Sequence, residues 1–295
     1  MTTTEVYIDF IKKLKNIYEA REAENIADWV FENVTGLKKW ERREKMNNEL
    51  KEIHSDRIQQ YLNELLLHKP VQYVLNECWF YKRNFYVNEN VLIPRPETEE
   101  LVEWIVKDIL EMNINNSKPT CLDCRQANII DIGTGSGCIS VSIKKELPGA
   151  TVSAIDVSEK AILVAKKNAE NLNAEIDFLQ IDFLKETEWN RLSQYDIIVS
   201  NPPYIPIKEK EILAKNVTDF EPAIALFVEN NDPCIFYEKI AEFAKKHLKE
   251  NGKIYVEVHE EFAKNVKKLF EKSGFTSIIK KDIYGKERMV RAIKI

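Results

Sequence analysis

The order of elements predicts an α/β protein with a doubly wound, mostly parallel seven-stranded sheet, preceded by a small helical bundle and a β-hairpin linker. Two observations predict the sheet. Short apolar runs alternate with helical stretches from about residue 128 onward, and the runs are followed by glycine, acidic or proline-rich loops. A third observation sets the front of the chain apart. Residues 1 to about 75 hold one glycine, Gly36, and one proline, Pro70, and their apolar residues recur at three and four.

In that first segment the apolar sets are Tyr7, Ile8, Ile11 and Leu14, then Ile26, Trp29, Val30 and Val34, then Ile58, Tyr61, Leu62, Leu65 and Leu66. They predict amphipathic helices, with Thr4 and Ser55 as N-caps. Composition shifts after Pro70 to interleaved Val, Tyr, Phe and Trp, which predicts a hairpin turning near Tyr81–Asn84. Pro96 suits the first turn of a helix, and Glu97, Glu99 and Glu100 suit its positive end. The domains expected are a helical domain over 1–75, a hairpin linker over 76–95 and a larger domain over 96–295.

A polar loop near 114–127 leads into that domain. Its strands are expected at Asn128–Ile132, Thr151–Ile155, Ile176–Leu179, Tyr195–Val199 and Lys253–Val258. Helices should run from Gly137 through Leu147, from Ser158 as N-cap through Asn171, from about Pro233 to Lys249 and over Glu261–Ser273. Asn251-Gly252 reads as the stop of the third of these. Phe275–Lys280 and Arg288–Ile295, with only a turn between them, should pair antiparallel.

Bulk properties exclude several classes. A net charge of -5 gives no global attraction to nucleic acid or anionic membrane. There is no run of ~18 apolar residues to span a bilayer and no apolar leader, so a cytoplasmic protein is expected. Five scattered cysteines (Cys78, Cys121, Cys124, Cys138, Cys234) fit a reducing compartment. Cys121-Leu122-Asp123-Cys124 lacks the second pair or histidines that zinc requires, and reads as two incidental thiols. His259-Glu260-Glu261 is not an H-E-x-x-H site, because Ala263 stands where the second histidine belongs. No metal is expected.

The chemistry concentrates at strand ends, where ligands of open α/β sheets bind. Asp131-Ile132-Gly133-Thr134-Gly135-Ser136-Gly137 is a glycine-rich loop able to approach a nucleotide phosphate, a dinucleotide or S-adenosylmethionine. It is neither a Walker A loop nor a clean G-x-G-x-x-G. Asp156 ends the next strand roughly 20 residues on, where a carboxylate can take both ribose hydroxyls of a nucleoside. Asp182 and Phe183 follow the third strand, where a carboxylate and a ring can bracket an adenine. Ser200-Asn201-Pro202-Pro203-Tyr204 follows the fourth. Two prolines end the strand and offer no N–H, so Asn201 and Pro202 present acceptors beside an aromatic ring, a setting for a planar –NH2 group.

Together these features resemble the class I S-adenosylmethionine-dependent methyltransferases with an Asn-Pro-Pro-Tyr motif, which share a Rossmann-like sheet. Over residues 5 to 295 the chain is similar to the peptide chain release factor glutamine methyltransferases. Pro70-Val71-Gln72-Tyr73, Leu92-Ile93-Pro94-Arg95-Pro96-Glu97-Thr98-Glu99, Asp131–Gly137, Ser200–Tyr204 and Glu221-Pro222 carry the likeness. It implies methyl transfer from S-adenosylmethionine to the side-chain amide of the glutamine in the release factors' Gly-Gly-Gln loop.

By the same resemblance, Asp131, Gly133, Thr134, Gly135, Ser136, Gly137, Asp156, Asp182 and Phe183 bind the cofactor, with Asn201 reaching it too. Asn201 and Pro202 grip the glutamine –NH2, Pro203 and Tyr204 complete the substrate pocket, and Asn201, Pro202 and Tyr204 form the catalytic set. The N-terminal bundle would dock the release factor, and a monomer without nucleic acid is expected. Two stretches depart from the family pattern: Ala223–Asn230 lacks its usual glycines, and Glu257-Val258-His259 has His where glycine is common. The alternative is a nucleic-acid adenine or cytosine amino-methyltransferase, which would present a flipped base to the same acceptors.

Overall fold

A computed structural model describes residues 1–45, 47–114, 126–230 and 232–294. The Cys121–Cys124 pair and most of the expected polar loop lie outside the described residues. The chain divides into two compact units, one of Met1–Glu77 with Ala214–Phe220, the other of Cys78–Leu213 with Glu221–Ile295.

The first unit opens with α1 (Thr3–Leu14), α2 (Ala20–Thr35), α3 (Lys39–Glu44), α4 (Glu52–Leu66) and α5 (Val71–Leu75). Phe10, Leu14, Val30, Phe31, Leu62 and Leu65 meet in its core, as the three-and-four spacing requires. Both expected N-caps are corrected. Thr2, not Thr4, caps α1, because only Thr2 has a glutamate three residues on: its hydroxyl accepts from Glu5 N while the Glu5 carboxylate accepts from Thr2 N. Ser55 lies inside α4, whose cap position is Lys51.

The second unit begins with the hairpin β1 (Cys78–Phe80) and β2 (Arg83–Phe85), paired antiparallel. Positive φ at Tyr81 and Lys82 gives the two-residue turn whose twist matches the strands. Its strands occupy only Cys78–Phe85 of the expected 76–95, and Val71–Leu75, whose Val and Tyr content also reads as strand, is helical. Helix α6 (Pro96–Ile114) starts at the proline, as predicted.

Next come β3 (Asn128–Ile132), α7 (Cys138–Glu146), β4 (Thr151–Asp156), α8 (Glu159–Asn171), β5 (Asp177–Gln180) and β6 (Tyr195–Ser200). Ser158 caps α8 as predicted, accepting from Ala161 N at 3.2 Å. After short pieces β7 (Ile205–Pro206), α9 (Lys215–Thr218), α10 (Ala223–Leu226) and β8 (Phe227–Val228) the chain completes the sheet. It does so with α11 (Ile235–His247), β9 (Leu248–Glu257), α12 (Ala263–Lys272), β10 (Phe275–Lys281) and β11 (Glu287–Lys294).

The seven strands run in the order β10-β11-β9-β6-β3-β4-β5. Pairs from β9 through β5 are parallel, while β11 pairs antiparallel with β9 and with β10. Alternate residues point to opposite faces. Ile129, Ile197, Val199 and Tyr255 pack with α6 and α7, whereas Ile130, Ile198, Ile254 and Val256 pack with α11 and α12. The expected helix stop at Asn251-Gly252 is also corrected. The helix ends at His247, and Lys249–Gly252 bulges within β9, where the register against β6 shifts. Asn251 adopts φ 60° there, and a Cβ on Gly252 would lie 2.7 Å from Leu248 Cγ, so that position needs glycine.

Candidate active site

Strand order reverses between β3 and β6. The chain leaves β3 toward β4 on one side, then returns to lay β6 on the other. The loops after β3 and β6 therefore open side by side at carboxyl ends, the crevice that α/β sheets offer ligands. The Ser200 hydroxyl donates to Ile132 O at 2.7 Å and ties the two loop roots together.

A cavity of about 320 Å³ lies there. Gly133, Thr134, Gly135, Ser136, Asp156, Asp182, Phe183, Asn201, Pro202 and Pro203 all line it. Three residues expected there from the sequence stand behind it instead. Asp131 is fully buried, with Oδ2 accepting from Thr134 Oγ1 at 2.6 Å and Ser140 N at 3.2 Å, while Oδ1 has no hydrogen-bond partner. Burial raises its carboxyl to about 6, against the pull of those donors. Gly137 caps α7 with φ 78° and packs on Ala165 of α8. Tyr204 turns away from the cavity and donates its phenol to Glu257 Oε1 at 3.0 Å.

The glycine loop discriminates among the ligands that the sequence leaves open. A phosphate cradle needs free backbone N–H groups. Here Gly133 N and Thr134 N both donate to Ile155 O, Gly135 N to Asp156 Oδ2, and Gly137 N to Thr134 O. Those amides build the loop and are not offered to a phosphate. Gly133 and Gly135 have φ of 73° and 54°, and a Cβ on either would meet nothing within 4 Å. The space beside the loop is thus open to a group that presses against backbone, as the amino-acid part of S-adenosylmethionine would.

Asp156 is held by Gly135 N and Ser158 N, each at 2.9 Å, one on each carboxylate oxygen, so lone pairs remain for hydroxyl donors. Burial raises its pKa against those two amides. Phe183 serves the core and the cavity at once. It is 5% exposed and packs on Trp189 and Phe243, yet also borders the cavity. Asp182 is engaged locally, accepting from Leu184 N at 3.2 Å and facing Lys185 at 3.1 Å.

Other residues, to which the sequence assigns no role, enter the site. Arg95 lines the cavity and pairs with Glu221, whose other oxygen accepts from Ile93 N at 3.1 Å. The two stretches flagged by resemblance, Leu92–Glu99 and Glu221-Pro222, are therefore bonded to each other. Thr98, in the first turn of α6, accepts from Asn201 Nδ2 at 3.1 Å and donates to Glu257 Oε2 at 2.6 Å. Glu257 ends β9 and is 2% exposed. Burial raises its pKa, while the Thr98 and Tyr204 hydroxyls and the Arg288 charge pull the other way.

The Methyltransferase small domain family matches residues 117–219. A curated relative from Flavobacterium psychrophilum, "Release factor glutamine methyltransferase", is 42% identical over 96% of this chain and 95% of its own length. The chain belongs to the release factor glutamine methyltransferase family. A relative of the same name from Streptococcus pneumoniae is 36% identical, with 98% of each chain covered. Among solved structures, the hMettl16 catalytic domain in complex with the MAT2A 3'UTR hairpin 6 aligns with a TM-score of 0.54 at 18% identity. That alignment covers 83% of this chain and 82% of the other, and bears on the fold alone.

Among the described residues, no helix is long and apolar enough to cross a membrane, and no cluster of His, Cys, Asp or Glu has metal-site geometry. His259 packs near Tyr204 with its Nε2 3.8 Å from Glu209, in keeping with a strand-end polar residue.

Proposed function

We propose that this protein transfers a methyl group from S-adenosylmethionine to the side-chain amide nitrogen of the glutamine in the Gly-Gly-Gln loop of peptide chain release factors. One observation carries the reading: the glycine loop after β3 and Asn201–Pro203 after β6 line a single cavity. The names borne by relatives that match nearly the whole chain support the choice of substrate.

S-adenosylmethionine, when bound, supplies an electrophilic methyl on a positively charged sulfur. Gly133–Ser136 would hold its amino-acid part, Asp156 its ribose, and Asp182 with Phe183 its adenine. What the protein must supply is control of a poor nucleophile, since the lone pair of an amide nitrogen is conjugated into the carbonyl. Asn201 Oδ1 and the carbonyl of Pro202 would accept both N–H bonds of the glutamine and fix the nitrogen in the cavity. Orientation of this kind supplies a large share of a transfer rate.

The test is incubation with methyl-labelled S-adenosylmethionine and either release factor or DNA and RNA, followed by mass-spectrometric mapping. Label is expected on the glutamine amide. Label on a nucleobase and none on the glutamine would overturn the reading. Asn201→Ala should abolish transfer while cofactor affinity, measured by calorimetry, stays within about threefold.

A further inference from the structure

Asn201 can serve as an acceptor in only one of its two amide orientations, and those orientations fill the same space. Something outside the amide has to choose between them. Three segments far apart in sequence converge to do so: Asn201 after β6, Thr98 in α6 and Glu257 at the end of β9.

A carboxylate is acceptor-only, and a threonine hydroxyl has one proton. Thr98 gives that proton to Glu257 Oε2 at 2.6 Å. Toward Asn201 its oxygen then has only lone pairs, so it must receive Nδ2–H, which it does at 3.1 Å. Nδ2 is thereby held on Thr98, and Oδ1 is the amide atom left for a ligand. The other oxygen of the same carboxylate accepts the Tyr204 hydroxyl at 3.0 Å, and Tyr237 donates to the Glu257 backbone carbonyl at 3.0 Å. One buried carboxylate thus anchors the first and last side chains of the Asn-Pro-Pro-Tyr loop.

We propose that Glu257, acting through the Thr98 hydroxyl, is the positioning residue that fixes the direction of the Asn201 amide and makes the site an acceptor for a substrate –NH2 group. This rests on the amide-methyltransferase reading above. The relay has a direction that can be reversed. A glutamine at 257 can donate its own N–H to Thr98, which frees the Thr98 proton for Asn201 Oδ1. The amide then turns Nδ2 outward and offers the substrate a donor where it needs an acceptor.

The experiment compares wild type with Thr98→Val, Thr98→Ser and Glu257→Gln for methyl transfer to release factor. Cofactor affinity by calorimetry and thermal midpoint are measured in parallel. Loss of a hydrogen bond linked to a charged partner should lower kcat about 10- to 100-fold in Thr98→Val. Glu257→Gln should lose at least as much. Thr98→Ser, which keeps the hydroxyl, should stay within about threefold of wild type, and cofactor affinity should move less than about threefold in all three.

Near-normal kcat in Thr98→Val, or a Thr98→Ser variant as slow as Thr98→Val, would overturn the proposal while a labelled wild type left the substrate reading standing. No glutamine label from wild type would overturn both.

Discussion

Replacing Asp131 by asparagine tests whether the carboxylate under the glycine loop is held at a cost. The side chain is fully buried, and its pKa is raised from 3.8 to about 6. Desolvation is the largest cause, opposed by the Thr134 hydroxyl and by Ser140. One unit is 1.36 kcal/mol, so ionising this group costs the fold roughly 3 kcal/mol relative to the unfolded chain.

The sign follows from proton counts. Between pH 3.8 and about 6 the native state binds the proton that the unfolded state has released. Stability from this group is therefore greatest below the unfolded value and falls as pH rises through the folded one. Asparagine has no such titration. The unpartnered Oδ1 position leaves its amide without an acceptor, a penalty that does not vary with pH. Urea unfolding of ligand-free protein between pH 4 and pH 8 separates the two effects. The stability of Asp131→Asn minus that of wild type should rise by about 2.4 kcal/mol across the range, since part of the titration is already complete at pH 4, and level off above pH 7. A difference that stays flat within about 0.5 kcal/mol would refute the reasoning, because the constant penalty cancels and only the titration remains.

Two further outcomes are expected. Gly137→Ala places a Cβ at φ 78° and 3.1 Å from Ala165 Cβ, so strain and the squeezed α7–α8 packing should together cost about 1–3 kcal/mol by chemical denaturation. Arg95→Met strands the buried Glu221 carboxylate and should cost about 3–5 kcal/mol, most of which Arg95→Met/Glu221→Gln should recover. A double variant no more stable than the single one would show that the ion pair is not the cause.

Which parts of the site are legible in the sequence follows from how residues signal. Glycines at every second position and a Pro-Pro strand terminator constrain the backbone locally, so Gly133–Gly137 and Asn201–Pro203 announce themselves without any tertiary partner. The same holds for the sheet, since each strand carries its own period. Thr98, Glu221 and Glu257 carry no such mark. Thr98 lies 103 residues from Asn201 and 159 from Glu257, and the sequence marks it only as part of the Leu92–Glu99 stretch that carries the family resemblance, with nothing to show its partners. Glu257 stands out only within a tripeptide whose histidine departs from the family pattern. Tyr204 is expected at the pocket wall because it lies close to Asn201 in the chain, but neighbours along an irregular loop need not face the same way, and its phenol goes to Glu257 instead.

The charges around the cavity bear on the choice between donor and substrate classes. Asp156 and Asp182 line it, and Asp131 lies beneath the loop. Among the described lining residues the one cation is Arg95, and it is paired with Glu221. Like charge brought against like costs several kcal/mol in a partly desolvated site, which sets this wall against a phosphate. The same wall attracts a ligand bearing a sulfonium and an ammonium. The opposing lip needs no charge, because an amide substrate is neutral and asks only for acceptors. On the proposed reading, the acidic wall after β3–β5 and the neutral acceptor lip after β6 would be two halves of one requirement, a cationic methyl donor facing an uncharged nitrogen.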